Sequence, residues 1–200
     1  MSRLVLLRHA EPEEDSRGRC YGRLDVGLSP RGVEQAQLLA HDLAHLRLDA
    51  VYASPRRRAL ETAAPIATVH GLAPEVDDRL RELDFGVLEG RLYTEIERSE
   101  PELFRAWMET PTEVSFPGGE SYDDLRRRAV AACDEIRRRH AGALVVSHGG
   151  VVRAVVAEWL SIPAAAIFRL DQSYGGLTVV DWVEETPIVR VLNGTASVDR

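Results

Sequence analysis

Two histidines, His9 and His148, each follow an apolar run that is typical of a buried strand. The run at 4–7 leads into Arg8-His9, and the run at 143–147 leads into His148. In an open α/β sheet, functional groups collect where the strands reach their carboxyl ends. The two imidazoles, 139 residues apart in the chain, can therefore meet in one pocket. Such a pair beside an arginine suits phosphoryl transfer to a histidine nucleophile.

Other segments add cations and an acid to the same predicted edge. Three arginines at 56–58 follow the strand-like run 50–53, and a guanidinium group offers paired N–H donors that match phosphate oxygens. Gly149 and its neighbour let a backbone and a helix N-terminus approach an anion closely. Glu82 is a candidate general acid.

The loop 18–25 is bounded by glycine and carries arginine, and it lies between His9 and the first predicted helix. Its central residues Tyr21, Gly22 and Arg23 are candidates for binding a substrate or a phosphate group. We expect this loop to help determine which leaving group the pocket accepts.

The composition excludes several classes of function. The 200 residues carry a net charge of −7, which argues against nucleic acid as a partner, and all 25 basic residues are arginine. The absence of lysine excludes Schiff-base chemistry and a Walker-A phosphate site. No apolar run is long enough to suggest a membrane span, and no signal peptide is visible. Cys20 and Cys133 lack metal or redox spacing, so we expect reduced thiols in a cytoplasmic protein.

Strand and helix patterns alternate along the chain. Strand-like runs occur at 3–7, 49–53, 143–147, 175–182 and 188–192, and helical patterns occur from Ser29 onward and at 56–68, 120–139 and 150–160. This order predicts a single α/β domain over 1–200: a three-layer α/β/α sandwich whose mainly parallel sheet has an antiparallel edge. The apolar edge at Val179, Val180 and Trp182 is compatible with a homodimer contact or with a covering helix.

The segment 84–120 does not follow this alternation. It contains five aromatic residues separated by prolines, which indicates a helical insertion over the functional edge of the sheet. Its aromatic residues are interpreted either as ordinary core or as a lid that shapes a substrate pocket. The arginine triplets 126–128 and 137–139, eleven residues apart, share a helix face, which we interpret as solvated.

Taken together, these motifs resemble the histidine phosphatase superfamily, which includes the cofactor-dependent phosphoglycerate mutases. The resemblance extends from residue 3 to about 160 and is carried by 6–11, 28–32, 54–63, Glu82 and 147–150.

The resemblance implies a role for each matching residue. His9 matches the histidine that takes up the phosphoryl group, and Glu82 matches the proton donor to the leaving oxygen. The cationic pocket would consist of Arg8, Arg58 and His148, with His148 more useful in its protonated form. The matching positions that hold phosphate through backbone N–H groups are Gly22 and Gly149. The resemblance implies no cofactor and no metal ion.

The chain also departs from the family pattern. Asp15 stands where many members carry asparagine, so it either points away from the phosphate or contacts another part of the substrate. Among the three arginines at 56–58, the alanine that follows selects Arg58 as the pocket arginine. The stretch after Glu82 lacks the Arg-His-Tyr-Gly-type sequence of the mutases, which favours the phosphatase branch.

Within that branch, the loop 19–25 and the segment 117–121 look closest to α-ribazole phosphatase-like members. The expected activity is a cytoplasmic, metal-independent phosphomonoesterase acting on a small phosphorylated metabolite, with α-ribazole 5′-phosphate as one candidate. Three alternatives remain: a phosphoglycerate mutase, a non-catalytic module that binds a phosphorylated ligand, and a metallohydrolase.

Overall fold

Six strands form one mixed sheet in the computed structural model, which describes residues 2–195. They are β1 (Ser2–Arg8), β2 (Ala50–Ala53), β3 (Glu75–Val76), β4 (Gly142–Ser147), β5 (Leu177–Val183) and β6 (Thr186–Gly194). Their order in the sheet is β3-β2-β4-β1-β5-β6. The strands β3, β2, β4 and β1 are parallel to one another, β5 pairs antiparallel with β1, and β6 pairs antiparallel with β5. The predicted α/β class with a mainly parallel centre and an antiparallel edge is confirmed.

The described residues contain six α-helices: α1 (Pro30–Leu43), α2 (Arg57–Val69), α3 (Tyr93–Ser99), α4 (Pro101–Glu109), α5 (Tyr122–Arg139) and α6 (Gly149–Trp159). Helix α1 begins at the predicted signal: the Ser29 hydroxyl accepts a hydrogen bond from the Gly32 N–H at 3.0 Å, and Pro30 occupies the first helical position. None of the helices within residues 2–195 has both the length and the apolar composition that crossing a membrane requires.

Alternating strand residues supply two separate cores, and this produces the three layers. Leu4 and Leu6 of β1 pack into the core that contains α5 and α6. Val5 and Leu7 pack into the core on the opposite face, together with α1 and α2. The period of two along a strand sends successive side chains to opposite faces, so a strand buried on both sides reads as one continuous apolar run.

The register between β1 and β4 brings the two histidines together. Arg8 lies opposite Ser147 in this parallel pair, and the His9 N–H donates to the Ser147 carbonyl at 2.8 Å. His9 directly follows β1 and His148 directly follows β4. The two imidazoles therefore meet at the same edge of the sheet, with their ring centroids 5.3 Å apart. Strand β2 ends at the same edge, where the Ser54 N–H donates to the Val146 carbonyl at 3.0 Å.

The segment 84–120 forms α3, α4 and two short 3-10 turns. Phe85, Trp107 and Phe116 are buried and pack with ring centroids 5.1–5.4 Å apart. Phe85 and Trp107 also line the main cavity at the sheet edge. The two interpretations of these aromatic residues are therefore compatible, because core side chains form part of the pocket wall.

Two features differ from the sequence analysis. Strand β3 was not predicted, because a strand of two exposed residues is too short to show alternation. The edge at Val179, Val180 and Trp182 is not a free surface, because these residues are buried within the chain. Strand β6 pairs with β5, and the Trp182 ring packs at right angles on Trp159 of α6, with ring centroids 5.2 Å apart.

Candidate active site

A cavity of about 360 Å³ opens where the parallel strands end. Four of the predicted site residues line it: Arg8, Tyr21, Glu82 and Gly149. The rest of the wall is mostly apolar and comes largely from the segment 84–120 and from α5 and α6. The residues of this wall include Phe85, Phe104, Trp107, Tyr122, Arg153 and Phe168.

His9 is almost completely buried, and its tautomer is fixed by the backbone. Its Nδ1 lies 2.7 Å from the Ala10 carbonyl oxygen. A carbonyl can only accept a hydrogen bond, so Nδ1 carries the proton and donates it. The lone pair of the neutral ring is therefore on Nε2. This is the arrangement that a nitrogen nucleophile needs.

His148 is fully buried and contacts the hydroxyl of Ser54, which directly follows β2. The distance from His148 Nε2 to Ser54 Oγ is 2.7 Å. The other nitrogen, Nδ1, is buried without a hydrogen-bond partner in the described structure. If the Ser54 hydroxyl donates to Nε2, the neutral ring of His148 carries its proton on Nδ1. His148 can then donate a hydrogen bond to an anion without being protonated on both nitrogens.

The surroundings lower the pKa of both histidines well below the ordinary value of 6.5. Burial is the largest cause for each ring, and the positive charge of Arg58 is the next. The charge of Arg8 lowers both pKa values further. Both rings are thus neutral near pH 7, which suits His9 as a nucleophile. For His148 this differs from the expectation of a cation, because the adjoining arginines make a third positive charge unfavourable.

Arg8 and Arg58 are both held by backbone carbonyl oxygens. Arg8 Nη1 donates to the Gln172 carbonyl, and the Arg8 guanidinium lies 4.1 Å from the centre of the Tyr174 ring. Arg58 is fully buried, and its two terminal nitrogens donate to the carbonyls of Leu24 and Tyr21, each at 2.9 Å. Arg58 therefore orders the loop 18–25, while its buried Nε has no hydrogen-bond partner and is free for a ligand.

The choice of Arg58 among the three arginines agrees with this placement. Arg57 is exposed and pairs with Glu61 at 3.0 Å, whereas Arg56 is only partly buried. Position 58 lies four residues before the buried Thr62, which places Arg58 on the buried face of α2.

The loop residues are placed differently from one another. Tyr21 lies at the cavity, and its hydroxyl is 3.5 Å from Arg8 Nη2. Gly22 is buried, and a Cβ there would lie 1.7 Å from the Leu83 carbonyl oxygen, so only glycine fits this close approach.

Asp15 and Arg23 are not brought to the cavity. Asp15 is exposed in a 3-10 turn, which agrees with the expectation that it points away from a phosphate. Arg23 is exposed and faces Asp84, with 3.8 Å between the charged atoms. Residues that are close in sequence thus have different surroundings. The backbone of the loop is hydrogen-bonded to Arg58, whereas the side chains of Asp15 and Arg23 point to solvent.

Glu82 lies across the cavity and is fixed by two backbone donors. Its Oε1 accepts from the Leu83 N–H at 2.9 Å, and its Oε2 accepts from the Gly150 N–H at 3.1 Å. A Cβ at Gly150 would lie 2.4 Å from Oε1, so the glycine allows this carboxyl group to approach the first turn of α6. The Gly-Gly pair after His148, which the sequence predicts to approach an anion, therefore also contacts the carboxyl group of Glu82.

Arg128 holds the segment that carries Glu82, which sequence reasoning did not anticipate. Its guanidinium donates to the carbonyls of Arg79, Arg81 and Glu82, and it forms two hydrogen bonds with the Glu120 carboxylate at 2.8 and 2.9 Å. The interpretation of both arginine triplets as solvated is wrong for Arg128 and Arg137, whose side chains are only 12% and 6% exposed.

A helical signal for Arg128 was present in the sequence. Position 128 lies three residues after Leu125 and four before Ala132, and both of these are fully buried. Such spacing places Arg128 on the buried face of α5. Arg137 has a similar position near the end of the helix, and its guanidinium stacks 3.7 Å from the centre of the Trp182 ring.

Three buried nitrogens from this cluster have no hydrogen-bond partner in the described structure: Arg8 Nε, Arg58 Nε and His148 Nδ1. Each belongs to a residue predicted for the cationic pocket. Buried polar groups are nearly always paired, so a group of unpaired donors beside one nucleophile indicates an anion-binding site. Within residues 2–195, no three His, Cys, Asp or Glu side chains are arranged to share a metal ion.

Comparison with known proteins shows the family to which the chain belongs. The profile of the histidine phosphatase superfamily (branch 1) matches residues 4–195, and the chain belongs to this family.

Relatives within the family are named for phosphatase activity on different substrates. The chain is 36% identical to phosphoserine phosphatase 1 of Hydrogenobacter thermophilus over 98% of its own length and 93% of the relative. It superimposes on the α-ribazole phosphatase of Shigella flexneri with a TM-score of 0.86 and 27% identity, covering 99% and 100% of the two chains. A mycobacterial glucosyl-3-phosphoglycerate phosphatase gives a TM-score of 0.86 at 28% identity, with 97% and 99% covered.

The neutral, buried histidines predict a pH-dependent stability. Their folded pKa values lie below the unfolded value near 6.5, so the unfolded chain binds more protons as the pH falls. The free energy of unfolding should therefore decrease from pH 6.5 to 5, by up to about 1.4 kcal/mol per pH unit for each histidine. Urea denaturation across this range measures the slope.

Two variants test the assignment of this slope to the pocket. His148→Asn should remove about half of it, since one of the two buried titrating rings is lost. His41→Asn, at an exposed position on α1, should keep the full slope. An unfolding free energy that stays constant between pH 6.5 and 5 contradicts the neutral state of the two rings.

Removing Arg128 should destabilise the fold because it leaves the buried Glu120 carboxylate without its main partner. We expect Arg128→Met to lower the free energy of unfolding by about 2–4 kcal/mol. Arg127→Met, next to it on α5 but 64% exposed, should change it by less than about 0.5 kcal/mol. Equal losses in the two variants, measured by urea denaturation, would show that Arg128 does not act as a clamp.

Proposed function

We propose that this protein is a phosphomonoesterase that transfers the phosphoryl group of a small phosphorylated metabolite to His9 and then to water. The observation that carries the proposal is the cluster of unpaired donors on Arg8, Arg58 and His148 beside the imidazole of His9. A phosphoryl group has three equatorial oxygens that need such donors during transfer. The names of the three phosphatases compared above support the same class.

In the first step, the Nε2 lone pair of His9 forms a bond to phosphorus as the bond from phosphorus to the leaving oxygen breaks. The Nδ1–H bond to the Ala10 carbonyl stabilises the positive charge that develops on the ring. Glu82, in its acid form, gives its proton to the leaving oxygen, so the product departs as an alcohol. The result is phosphohistidine and a Glu82 carboxylate.

In the second step, the Glu82 carboxylate takes a proton from a water molecule whose oxygen attacks phosphorus. The N–P bond breaks and its electron pair returns to Nε2 of His9, while Glu82 regains its proton. One carboxyl group thus serves first as acid and then as base. Across both steps, one ester and one water become one alcohol and one phosphate.

We further propose that the reaction is metal-independent and that residues 1–200 act as one domain in the cytoplasm. Arg8 and Arg58 supply the positive charge that a Mg²⁺ ion supplies in many phosphoryl-transfer enzymes. The cysteines among the described residues, Cys20 and Cys133, are free and buried, which fits a reducing compartment. Full activity in EDTA is the expected result.

The sharpest test of this mechanism is detection of phosphohistidine at position 9. Brief mixing with p-nitrophenyl phosphate, acid-free quenching and mass spectrometry should place one phosphoryl group on a peptide that contains His9. His9→Ala should lose the modification and at least 10³-fold in kcat, on the scale seen when covalent nucleophiles are removed. His41→Ala, at an exposed histidine, should keep both. Normal turnover by His9→Ala would sink the proposal.

For the substrate itself, we propose a panel in which α-ribazole 5′-phosphate is one candidate. The name of the Shigella flexneri neighbour supports this candidate, and the aromatic wall of Phe85, Phe104 and Trp107 suits a flat heterocycle. Phosphoserine and phosphoglycerates belong in the same panel, ranked by kcat/KM. Interconversion of phosphoglycerates without release of phosphate would favour the mutase alternative instead.

A further inference from the structure

A second arginine, Arg153, lines the cavity beside Arg8 and forms no salt bridge among the described residues. It lies on α6, one turn after Gly149, and it is partly buried. Its Nε donates to the Leu170 carbonyl at 2.7 Å, and its two terminal nitrogens have no hydrogen-bond partner among the described residues. Burial and then the charge of Arg8 lower its pKa from the ordinary value, and the charges of Glu82 and Asp171 only partly oppose this shift.

Tyr122 provides a second unpaired donor on the same wall. Its side chain is 4% exposed, and its hydroxyl is buried without a partner. Burial raises the pKa of this hydroxyl, so it remains protonated and able to donate. Tyr122 lines the cavity together with Arg153, and the charges of Arg153 and Glu82 act on its hydroxyl more strongly than those of Arg126 and Glu158.

The two cavity arginines are near neighbours across Gly149. A Cβ at this glycine would lie 3.2 Å from Arg153 Nη1 and 3.5 Å from Arg8 Cζ. Two like charges this close repel each other, so the partly buried space beside them favours an anionic ligand. Under the proposed mechanism, Arg8 serves the phosphoryl group that His9 accepts, which leaves Arg153 for the rest of the substrate.

We infer that Arg153 and the Tyr122 hydroxyl form a second anion subsite, which selects phosphate esters whose alcohol carries a carboxylate or an equivalent anion close to the ester oxygen. This inference rests on the proposed function and specifies its substrate class. The carboxylate accepts hydrogen bonds from both groups, while the carbon skeleton packs against the wall of Phe104 and Phe168. Neutral alcohols, including α-ribazole, are then poorer substrates than acidic ones of similar size.

Matched substrate pairs test this subsite. O-phosphoserine and O-phosphoethanolamine differ only in the carboxylate, and 3-phosphoglycerate and glycerol 3-phosphate differ at the same end. The wild-type protein should hydrolyse the acidic member of at least one pair with a kcat/KM at least tenfold higher. This preference should act mainly through KM, because the anion is bound equally in the ground state and the transition state. No preference in either pair overturns the inference.

Variants separate this role from a general effect on the pocket. Arg153→Gln should lower the acid-to-neutral ratio of kcat/KM by about 10- to 100-fold, Arg153→Lys should restore part of it, and Tyr122→Phe should lower it by about 3- to 10-fold. Arg105→Gln removes the same charge from an exposed position on α4, outside the cavity lining, and should keep the ratio.

Failure of the subsite and failure of the proposed function give different results. If Arg153→Gln weakens acidic and neutral esters equally, Arg153 serves the transferred phosphoryl group, and the inference fails while the phosphatase mechanism stands. If no phosphohistidine forms at His9 with p-nitrophenyl phosphate, which carries no carboxylate, the proposed function itself fails. The two failures therefore have separate readouts.

Discussion

The cavity depends on arginines that are held by neutral groups. Arg8 donates to the Gln172 carbonyl, Arg58 donates to two carbonyls of the loop 18–25, and Arg153 donates to the Leu170 carbonyl. A carbonyl dipole fixes a guanidinium group without cancelling its charge, whereas a carboxylate would neutralise the positive potential that an anion must find. On the surface the same residue type pairs with acids, as Arg127 does with Asp124. The choice of partner therefore separates binding arginines from structural ones.

This arrangement also links the site to distant parts of the chain. Each carbonyl that accepts a hydrogen bond from one of these arginines lies in a loop. The same guanidinium groups therefore order the loops and provide positive charge for a ligand. Arg128 orders the opposite wall in a similar way. It donates to three backbone carbonyls and to the Glu120 carboxylate, and these bonds fix the segment that carries Glu82. Burial alone would raise the pKa of Glu120, but the hydrogen bonds and charge of Arg128 outweigh it and hold the pKa below its ordinary range. The Glu120 carboxylate is not part of the cavity lining, so its negative charge does not cancel the positive potential inside the cavity.

The sequence predicts the parts of this structure that depend on local patterns. Apolar runs located the strands that end before His9 and His148, and capping signals located α1. What it could not predict arises from contacts between distant segments. Arg153 lies on α6, outside the Gly-Gly motif that begins this helix, and its significance appears only when Leu170 and Tyr122 are placed around it. Chain proximity also grouped residues 15–23 into one site, although the loop directs some of these side chains to the cavity and others to solvent.

The strand order has a consequence for the order in which the protein can be assembled. Strands β1 and β2 are not neighbours, because β4 lies between them and pairs with both. During synthesis from the N-terminus, the parallel centre of the sheet therefore stays open until Gly142–Ser147 has left the ribosome. The strand that fills the gap between β1 and β2 is also the one that carries His148 to His9. A nascent chain that stops short of β4 therefore lacks both the centre of the sheet and one of the two histidines of the site.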